Sequence, residues 1–475
     1  MVKPTQFVNR KDELKTLNDA LDASSPALFV LYGRRRVGKT ALLRQACRTR
    51  KAVFFTADLG SRADQLASFA NALAKGLGES EWAGVSFPGW EQAIRVCLER
   101  SKQERVVLIL DEFQYLVTAD RSLPSTIQRL WDAEIGDSQL SIVLCGSYVS
   151  FMERRVLGVR NPLFGRRTGQ LALAPLRFRD AGRFLPGWNA AERMEAVGTM
   201  GCVPAYLRLL EPSLTLEDNV RKTVLEMGAP LLDEPRFLMM EELREPRVHF
   251  SICRAMAHGH GRPNEIVQAA GLTGQGNIAS YLSSLRELRF VERRVPATVR
   301  NPERSRLGLY RLSDPFLRFW FRFVLPNRST LEAGDAAGMW KRKIQPHLAQ
   351  HVSVAFEDAC RDFLSEANRR EKLPAVYDRI GSWWRHDNEV DVVAVADEGA
   401  ILLGECKWTA KPAGVDVLAK LTAKTTAVQA DLKRPAHQVD LAIFSRVGFT
   451  KELTKEAKKL SVLLVDVEQV LSSAR

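Results

Sequence analysis

Six consecutive apolar residues, Ala27 to Tyr32, run directly into Gly33-Arg34-Arg35-Arg36-Val37-Gly38-Lys39-Thr40, and Leu42, Leu43 and Ala46 follow at helical spacing. A short run with no polar face reads as a parallel strand buried on both sides. The loop between that strand and the helix fits GxxxxGK[ST]. Its glycines let backbone N–H groups close around phosphates at a helix N-terminus, where the helix dipole favours negative charge. Gly33, Val37, Gly38, Lys39, Thr40 and Ala41 are therefore expected to cradle ATP. Lys39 should reach the β- and γ-phosphates and Thr40 should ligate Mg2+.

A second buried strand, Arg105 to Leu110, ends in the adjacent acids Asp111 and Glu112. Asp111 suits a Mg2+ ligand. Glu112 suits the base that orients and deprotonates an attacking water. A third apolar run, Leu140 to Gly146, leads to Ser147, which is placed to sense the γ-phosphate. Arg166 and Arg167 sit in an expected loop, either as an arginine finger or as a surface basic pair.

The 475 residues suffice for about three domains. No apolar run approaches the roughly 18–20 residues that cross a bilayer, and no apolar leader is evident, so the expectation is a cytoplasmic chain away from membranes. Seven dispersed cysteines without a CxxC pair read as reduced thiols. His249, Cys253, His258 and His260 match no zinc spacing, and Cys253 fits an apolar helix face. The net charge of +13 favours a polyanionic partner, nucleic acid first, with a merely basic soluble surface as the alternative.

The segments FVNRKDEL, GRRRVGKT, LILDEFQYL, LCGSYVSFM, LFGRR and GCVPAYL occur in an order that resembles the archaeal-type ATPases, relatives of the AAA+ and STAND ATPases. The resemblance covers about residues 4–245. It implies a P-loop NTPase sheet, doubly wound and parallel, followed by a helical lid. It also implies Phe7, Val8 and Arg10 near the adenine, and Arg166 as the likelier finger, reaching a neighbouring subunit of a homo-oligomer or acting in cis. The lid motif departs from the family at Cys202, where a second glycine is usual.

Beyond Phe250 the pattern shortens. Helices are expected at Pro263–Ala270 and Asn277–Arg289 with a turn at Leu272–Gly276, then strands near residues 290–295 and 307–311. This is the spacing of a winged helix. Eight arginines against three glutamates between Arg286 and Arg311 favour DNA contact, while a scaffold role remains open. The aromatic stripe Phe316, Phe319 and Trp320 reads as core, and residues 325–338 read as a linker.

The C-terminal stretch carries a helix with Glu357 at the edge of its apolar face, then Asp391 in a valine-rich strand, then Glu405 and Lys407 two apart on the next strand. Two carboxylates on one sheet face repel unless a cation lies between them. Oxygen ligands suit Mg2+ or Mn2+, with Lys407 positioning water or offsetting phosphate charge. Helix Glu, strand Asp and Glu-x-Lys resemble the PD-(D/E)xK nuclease superfamily, which implies a restriction-endonuclease-like α/β domain with Glu357, Asp391 and Glu405 as metal ligands.

The expected organisation is a P-loop core at 1–174, a lid at 175–245, a winged helix at 246–325, a linker at 326–345 and a nuclease-like domain at 346–475. The expected function is an ATP-hydrolysing, ATP-regulated DNA endonuclease. The rival is an ATP-switched, STAND-like binding protein whose nuclease fold is inert. A helicase finds no further motif after Glu112.

Overall fold

The computed structural model describes residues 7–135, 138–159, 161–243, 246–272, 278–432 and 435–472. The chain divides after Pro175 into two compact units.

The first unit is built on five parallel strands: β1 (Ala27–Tyr32), β2 (Ala52–Thr56), β3 (Val106–Asp111), β4 (Leu140–Gly146) and β5 (Gly169–Ala172). Their order is β2-β3-β4-β1-β5, and the neighbours pair in parallel. Every residue of β1, β3 and β4 is buried, which is why those segments read as continuous apolar runs. The helix Arg62–Leu77 starts on a reciprocal capping box between Ser61 and Asp64, satisfying two orphan backbone donors. The order leaves β4 between the strand that precedes the phosphate loop and the strand that ends in Asp111. All three of their C-terminal ends therefore converge on one edge, where ligands of open α/β sheets bind.

The second unit opens with helices, among them Ala190–Met200, capped by Asn189 and Glu192. A two-stranded antiparallel hairpin follows, β6 (Val291–Arg294) with β7 (Leu309–Leu312). It comes after the helices Pro246–Ala257, Pro263–Ala269 and Ile278–Glu287. The expected turn beyond Leu272, and Asn277 with it, lie outside the described residues. Five further strands make a mixed sheet in the order β12-β11-β10-β9-β8. These are β8 (Arg379–Arg385), β9 (Asn388–Val395), β10 (Ala400–Lys407), β11 (Gln438–Ser445) and β12 (Leu463–Asp466). The first three pair antiparallel, and β10, β11 and β12 pair parallel.

Alternation decides how that sheet is covered. Val392, Ala394, Leu402 and Phe444 join the large core that includes the helix Gln345–Arg369. Val393, Val395, Leu403 and Ile443 face the helices Val415–Ala430 and Lys451–Leu460.

One expectation about organisation changes. A large core runs from Leu176 through Phe316, Trp320 and Phe356 to Val470, and a second one, with Trp383, Val393, Leu421 and Ile443, covers the other face of the mixed sheet. The segment expected as a linker is a chain of short helices, with Leu331, Met339, Trp340 and Ile344 buried. Gly334 and the polar residues around it mask an apolar set that serves the large core. Among the described residues no helix is long and apolar enough to cross a membrane.

Candidate ATP site and candidate carboxylate site

The phosphate loop takes the shape its glycines allow. Gly38 lies at φ 101° and Gly33 at φ 157°. A Cβ on Gly33 would sit 2.3 Å from the carbonyl oxygen of Leu173, so the chain just after β5 presses against the loop and leaves no room for a side chain. Lys39 is buried, and its Nζ donates to the carbonyls of Gly33 (2.8 Å) and Arg34 (3.1 Å). Those bonds curl the ammonium over the loop's mouth. Val37 is buried, while Gly38, Thr40 and Ala41 are partly exposed.

The structure brings the acids together with the loop. Thr40 Oγ1 donates to Asp111 Oδ2 at 2.9 Å, so the hydroxyl and carboxylate expected to share a Mg2+ ion are neighbours, and both are hard oxygen ligands that fit it. Glu112 is a non-glycine residue at φ 55°, a left-handed conformation costing of order 1–3 kcal/mol. The strained turn directs its carboxylate away from the strand. There Ser147 Oγ (2.6 Å) and Gln114 Nε2 (2.5 Å) both donate to Glu112 Oε2. Ser147 thus touches the expected base itself. Gln114 carries no motif signal in the sequence. It is buried beside these groups because the helix Phe113–Ala119 begins at Glu112.

Arg10 is also buried, at φ 66°. Its guanidinium bonds Glu13 (2.7 Å) and the carbonyls of Val37 (3.2 Å) and Ala174 (2.7 Å), so it braces the phosphate loop from behind. Phe7 packs at the margin of the core formed by Leu17, Leu42 and Leu43. Arg166 forms a two-pronged pair with Asp132, at 2.7 and 2.8 Å, and bonds the carbonyl of Pro162 at 3.0 Å. As a finger it acts only after that pair opens.

In the second unit, the β9–β10 register pairs Gly404 with Val392. One step further sets Asp391 opposite Glu405, with both side chains on one face. Asp391 Oδ2 accepts from the Cys406 backbone N–H at 2.8 Å. Lys407 Nζ reaches Glu405 Oε1 at 2.7 Å, and Lys424, from the helix behind, reaches Oε2 at 3.1 Å. Lys424 is the site residue that sequence reasoning missed, since nothing in a helical lysine announces a partner on a strand 19 residues earlier.

Burial, then the Glu405 carboxylate, push the pKa of Asp391 up to about 6. Burial and then Asp391 push Glu357 up to about 7. Burial works against the Lys407 ammonium, but Glu405 and Asp391 outweigh it and hold its pKa up.

Among the described residues no three His, Cys, Asp or Glu side chains are grouped to hold a metal ion as they stand. Glu357 sits on the helix facing Asp391 with Arg361 Nη1 at 3.7 Å, while both Glu405 oxygens are held by lysines. Asp391 and Glu405 alone retain the shared face.

A stability prediction follows from the raised carboxyl. Between the ordinary aspartate range and about pH 6 the folded chain holds more protons than the unfolded one, so stability falls as pH rises through that window. Asp391→Asn removes the charge and keeps an acceptor for Cys406. It should stabilise the protein by about 1–3 kcal/mol at pH 8 and by little at pH 4. Equal urea midpoints for the two proteins at pH 8 would show that Asp391 carries no such cost.

The arginine-rich stretch is only partly displayed. Arg293 bonds the carbonyls of Pro302 and Ser305, Arg294 bonds Ser382, and Arg311 bonds Glu292 and Asp358. Arg286 and Arg300 pair with Glu303 and Asp397.

With this geometry in place, comparison with known proteins gives the class. Residues 7–209 match the family described as an ATPase domain predominantly from Archaea. The Walker-type ATPase of Pyrococcus abyssi shares the fold at TM-score 0.50 and 20% identity, covering 68% of this chain and 99% of that one. The protein is a P-loop ATPase. An uncharacterized protein of Methanocaldococcus jannaschii is 32% identical over 405 residues, 85% of this chain and 87% of its own. An uncharacterized ATP-binding protein of the same organism is 47% identical over 45 residues, 10% of this chain and 76% of its own. Residues 320–423 match a further family, described as archaeal and bacterial proteins of unknown function. The chain belongs to the archaeal-type ATPase family.

Proposed function

We propose that the chain is an ATP-regulated, metal-dependent DNA endonuclease, with ATP turned over at Lys39, Thr40, Asp111 and Glu112 and phosphodiesters cut at Asp391, Glu405 and Lys407. The observation that carries the second half is the shared face of Asp391 and Glu405, with the Lys407 ammonium 2.7 Å from Glu405. Thr40 and Asp111 would hold Mg2+ with the nucleotide, and Asp391 and Glu405 would hold Mg2+ or Mn2+. Such an ion lowers the pKa of bound water and offsets phosphate charge. Lys39 holds the β- and γ-phosphates, Ser147 and Gln114 fix the Glu112 carboxylate, and Glu112 takes the proton of the attacking water. At the other site Lys407 supplies positive charge beside the scissile phosphate, and Arg361 fixes β9 by donating to the Asp391 carbonyl at 2.6 Å. Exposed arginines near the β6–β7 hairpin, Arg304 and Arg306 among them, suit contact with DNA phosphates.

The test is cleavage of plasmid and single-stranded DNA with Mg2+ or Mn2+, with and without ATP. Lys407→Ala should lower the cutting rate by about 10²–10³-fold, the scale for removing one charge-stabilising donor. Cleavage unchanged in that variant removes Lys407 from the mechanism and the nuclease reading with it.

One observation favours a second reading. Both oxygens of Glu405 are clasped by lysines, an arrangement that a site relieved of metal binding would also adopt. An ATP-switched binding protein then predicts nucleotide-dependent DNA or protein binding and no cleavage under either metal.

A further inference from the structure

The helices Glu234–Glu242 and Pro246–Ala257 border a groove of about 900 Å³ in the second unit, with Leu325 and Pro326 also in its wall. That volume is near the top of the roughly 300–1,000 Å³ of ligand clefts. Helical spacing shows which side chains turn toward it. On Pro246–Ala257, His249, Ile252, Cys253 and Met256 are buried. Arg247, Ser251 and Arg254 lie about half a turn round the helix from that stripe, so they point away from the core, and all three line the groove. On Glu234–Glu242, Leu238 and Met239 are buried, while Arg236, Phe237 and Met240 share the outer face. Phe237 is 59% exposed and Met240 54% in the full chain. Phe250 forms a half-buried part of the wall. Its ring is held edge-on by Phe321, with centres 5.5 Å apart, and by Trp320 at 6.2 Å.

The groove is therefore apolar inside and basic at its borders. Arg236, Arg247 and Arg254 are exposed, stand on both of its helices, and have no ion-pair partner among the described residues. No carboxylate lines the groove, and Glu241 and Glu242, at the end of the first helix, stay outside it. An exposed apolar patch rimmed by charge marks an interaction site, and charge of one sign on the rim selects a partner of the other. A nucleic-acid backbone would engage the arginines and leave Phe237 and Met240 in water. A second copy of this chain is disfavoured by its own net charge of +13, since a two-fold contact through this face would set the same arginines against one another. An amphipathic helix with acidic flanks satisfies both features, because it lays apolar anchors into a groove and carries its charges to either side.

We propose that this groove docks an acidic amphipathic helix of a partner protein, with its apolar anchors against Met240, Phe250 and Leu325 and its carboxylates on Arg236, Arg247 and Arg254. The inference rests on neither the nuclease reading nor the ATP site.

The experiment is fluorescence anisotropy of a labelled, designed peptide of about 18 residues, titrated with the full chain. The peptide carries leucine at helical i, i+3, i+4 and i+7 spacing and glutamate on both flanks. Two control peptides replace the glutamates by glutamine or the leucines by serine. The acidic peptide should bind saturably, and each control should bind at least about tenfold more weakly. Met240→Asp puts a like charge in the path of the peptide, and the double variant Arg247→Gln with Arg254→Gln removes two of its partners. Each should raise the peptide Kd by at least about tenfold. All three residues are exposed, so both variants are expected to fold, and melting curves check them. The proposal is overturned by peptide affinity unchanged in both variants, by either control binding as tightly as the acidic peptide, or by no saturable binding. It is also overturned in favour of nucleic acid if a DNA duplex loses affinity in the arginine variant while the peptide does not. A dimer that Met240→Asp dissolves in sedimentation, without peptide binding, assigns the face to a second copy instead. No cleavage is read, so failure here leaves the endonuclease proposal standing.

Discussion

Glu112→Gln should lower steady-state ATP turnover by about 10²–10⁴-fold, the usual contribution of a general base, and leave ATP affinity within about threefold. Glutamine keeps the length of the side chain and an oxygen that can accept from Ser147 and Gln114, which now lie 2.6 and 2.5 Å from Glu112 Oε2. The left-handed turn at φ 55° is likewise retained, so the change removes basicity and little else. Binding rests on different groups, the backbone of Gly33 to Thr40 and the Lys39 ammonium, none of which the substitution touches. Phosphate release and binding of a fluorescent ATP analogue, measured on the same preparation, separate the two effects. Turnover within threefold of wild type would exclude Glu112 as the base and return the role to water or to another carboxylate. Loss of binding together with turnover would mean that the turn itself, and not the charge, had been disturbed.

The ATP half of the molecule was legible because each of its functional residues follows a feature with its own physics. A six-residue apolar run followed by a glycine-rich loop or by polar residues fits a buried strand, and the residues after such runs converge at one sheet edge, so the sequence alone places Lys39, Asp111 and Ser147 together. Gln114 could not, because its place depends on how tightly the chain turns at Glu112. In the second unit the strands were legible by alternation, and Asp391 stood out against valines. What pairing does to those side chains was not. The clasp of Lys424 on Glu405 joins a helix to a strand, and the buried network on Asp358 joins its helix to Arg311 and Arg318, 47 and 40 residues earlier. Arginine counting likewise measured charge without its direction. The eight arginines from Arg286 to Arg311 read as one basic surface, yet Arg293, Arg294 and Arg311 turn inward to carbonyls, a hydroxyl and carboxylates. The expected linker failed for a related reason. Gly334 and Asp335 punctuate the segment, but Trp340 and Ile344 bury against the same core as Phe319 and Trp320.

Asp358→Ala should destabilise the second unit by about 3–5 kcal/mol, the cost of breaking a buried ion pair from one side. Asp358 accepts from Arg361 Nη2 at 2.6 Å, from Arg318 Nη2 at 3.2 Å, and from Arg311. Burial raises its proton affinity, but Arg311, Arg361 and Arg318 outweigh burial and hold its pKa well below the usual carboxylate range. A depressed folded pKa contributes stability that is present above the unfolded value and lost as pH falls through the folded one, so the variant should differ from wild type at neutral pH and converge on it in strong acid. Alanine leaves three guanidinium groups facing one another with Glu292 as the nearest remaining acceptor of Arg311. The discriminating measurement is therefore a double variant. Adding Arg311→Met to Asp358→Ala removes one of the stranded charges, and it should recover part of the loss in urea unfolding, giving a coupling of at least about 1 kcal/mol between the two sites. Additive losses would show that Asp358 acts through packing alone. The network also reaches the carboxylate site, because Arg361 bonds Asp358 with one nitrogen and the Asp391 carbonyl with the other. Loosening Asp358 should consequently free β9 at Asp391, read as faster backbone hydrogen exchange at residues 390–392 than at β11 in the same variant.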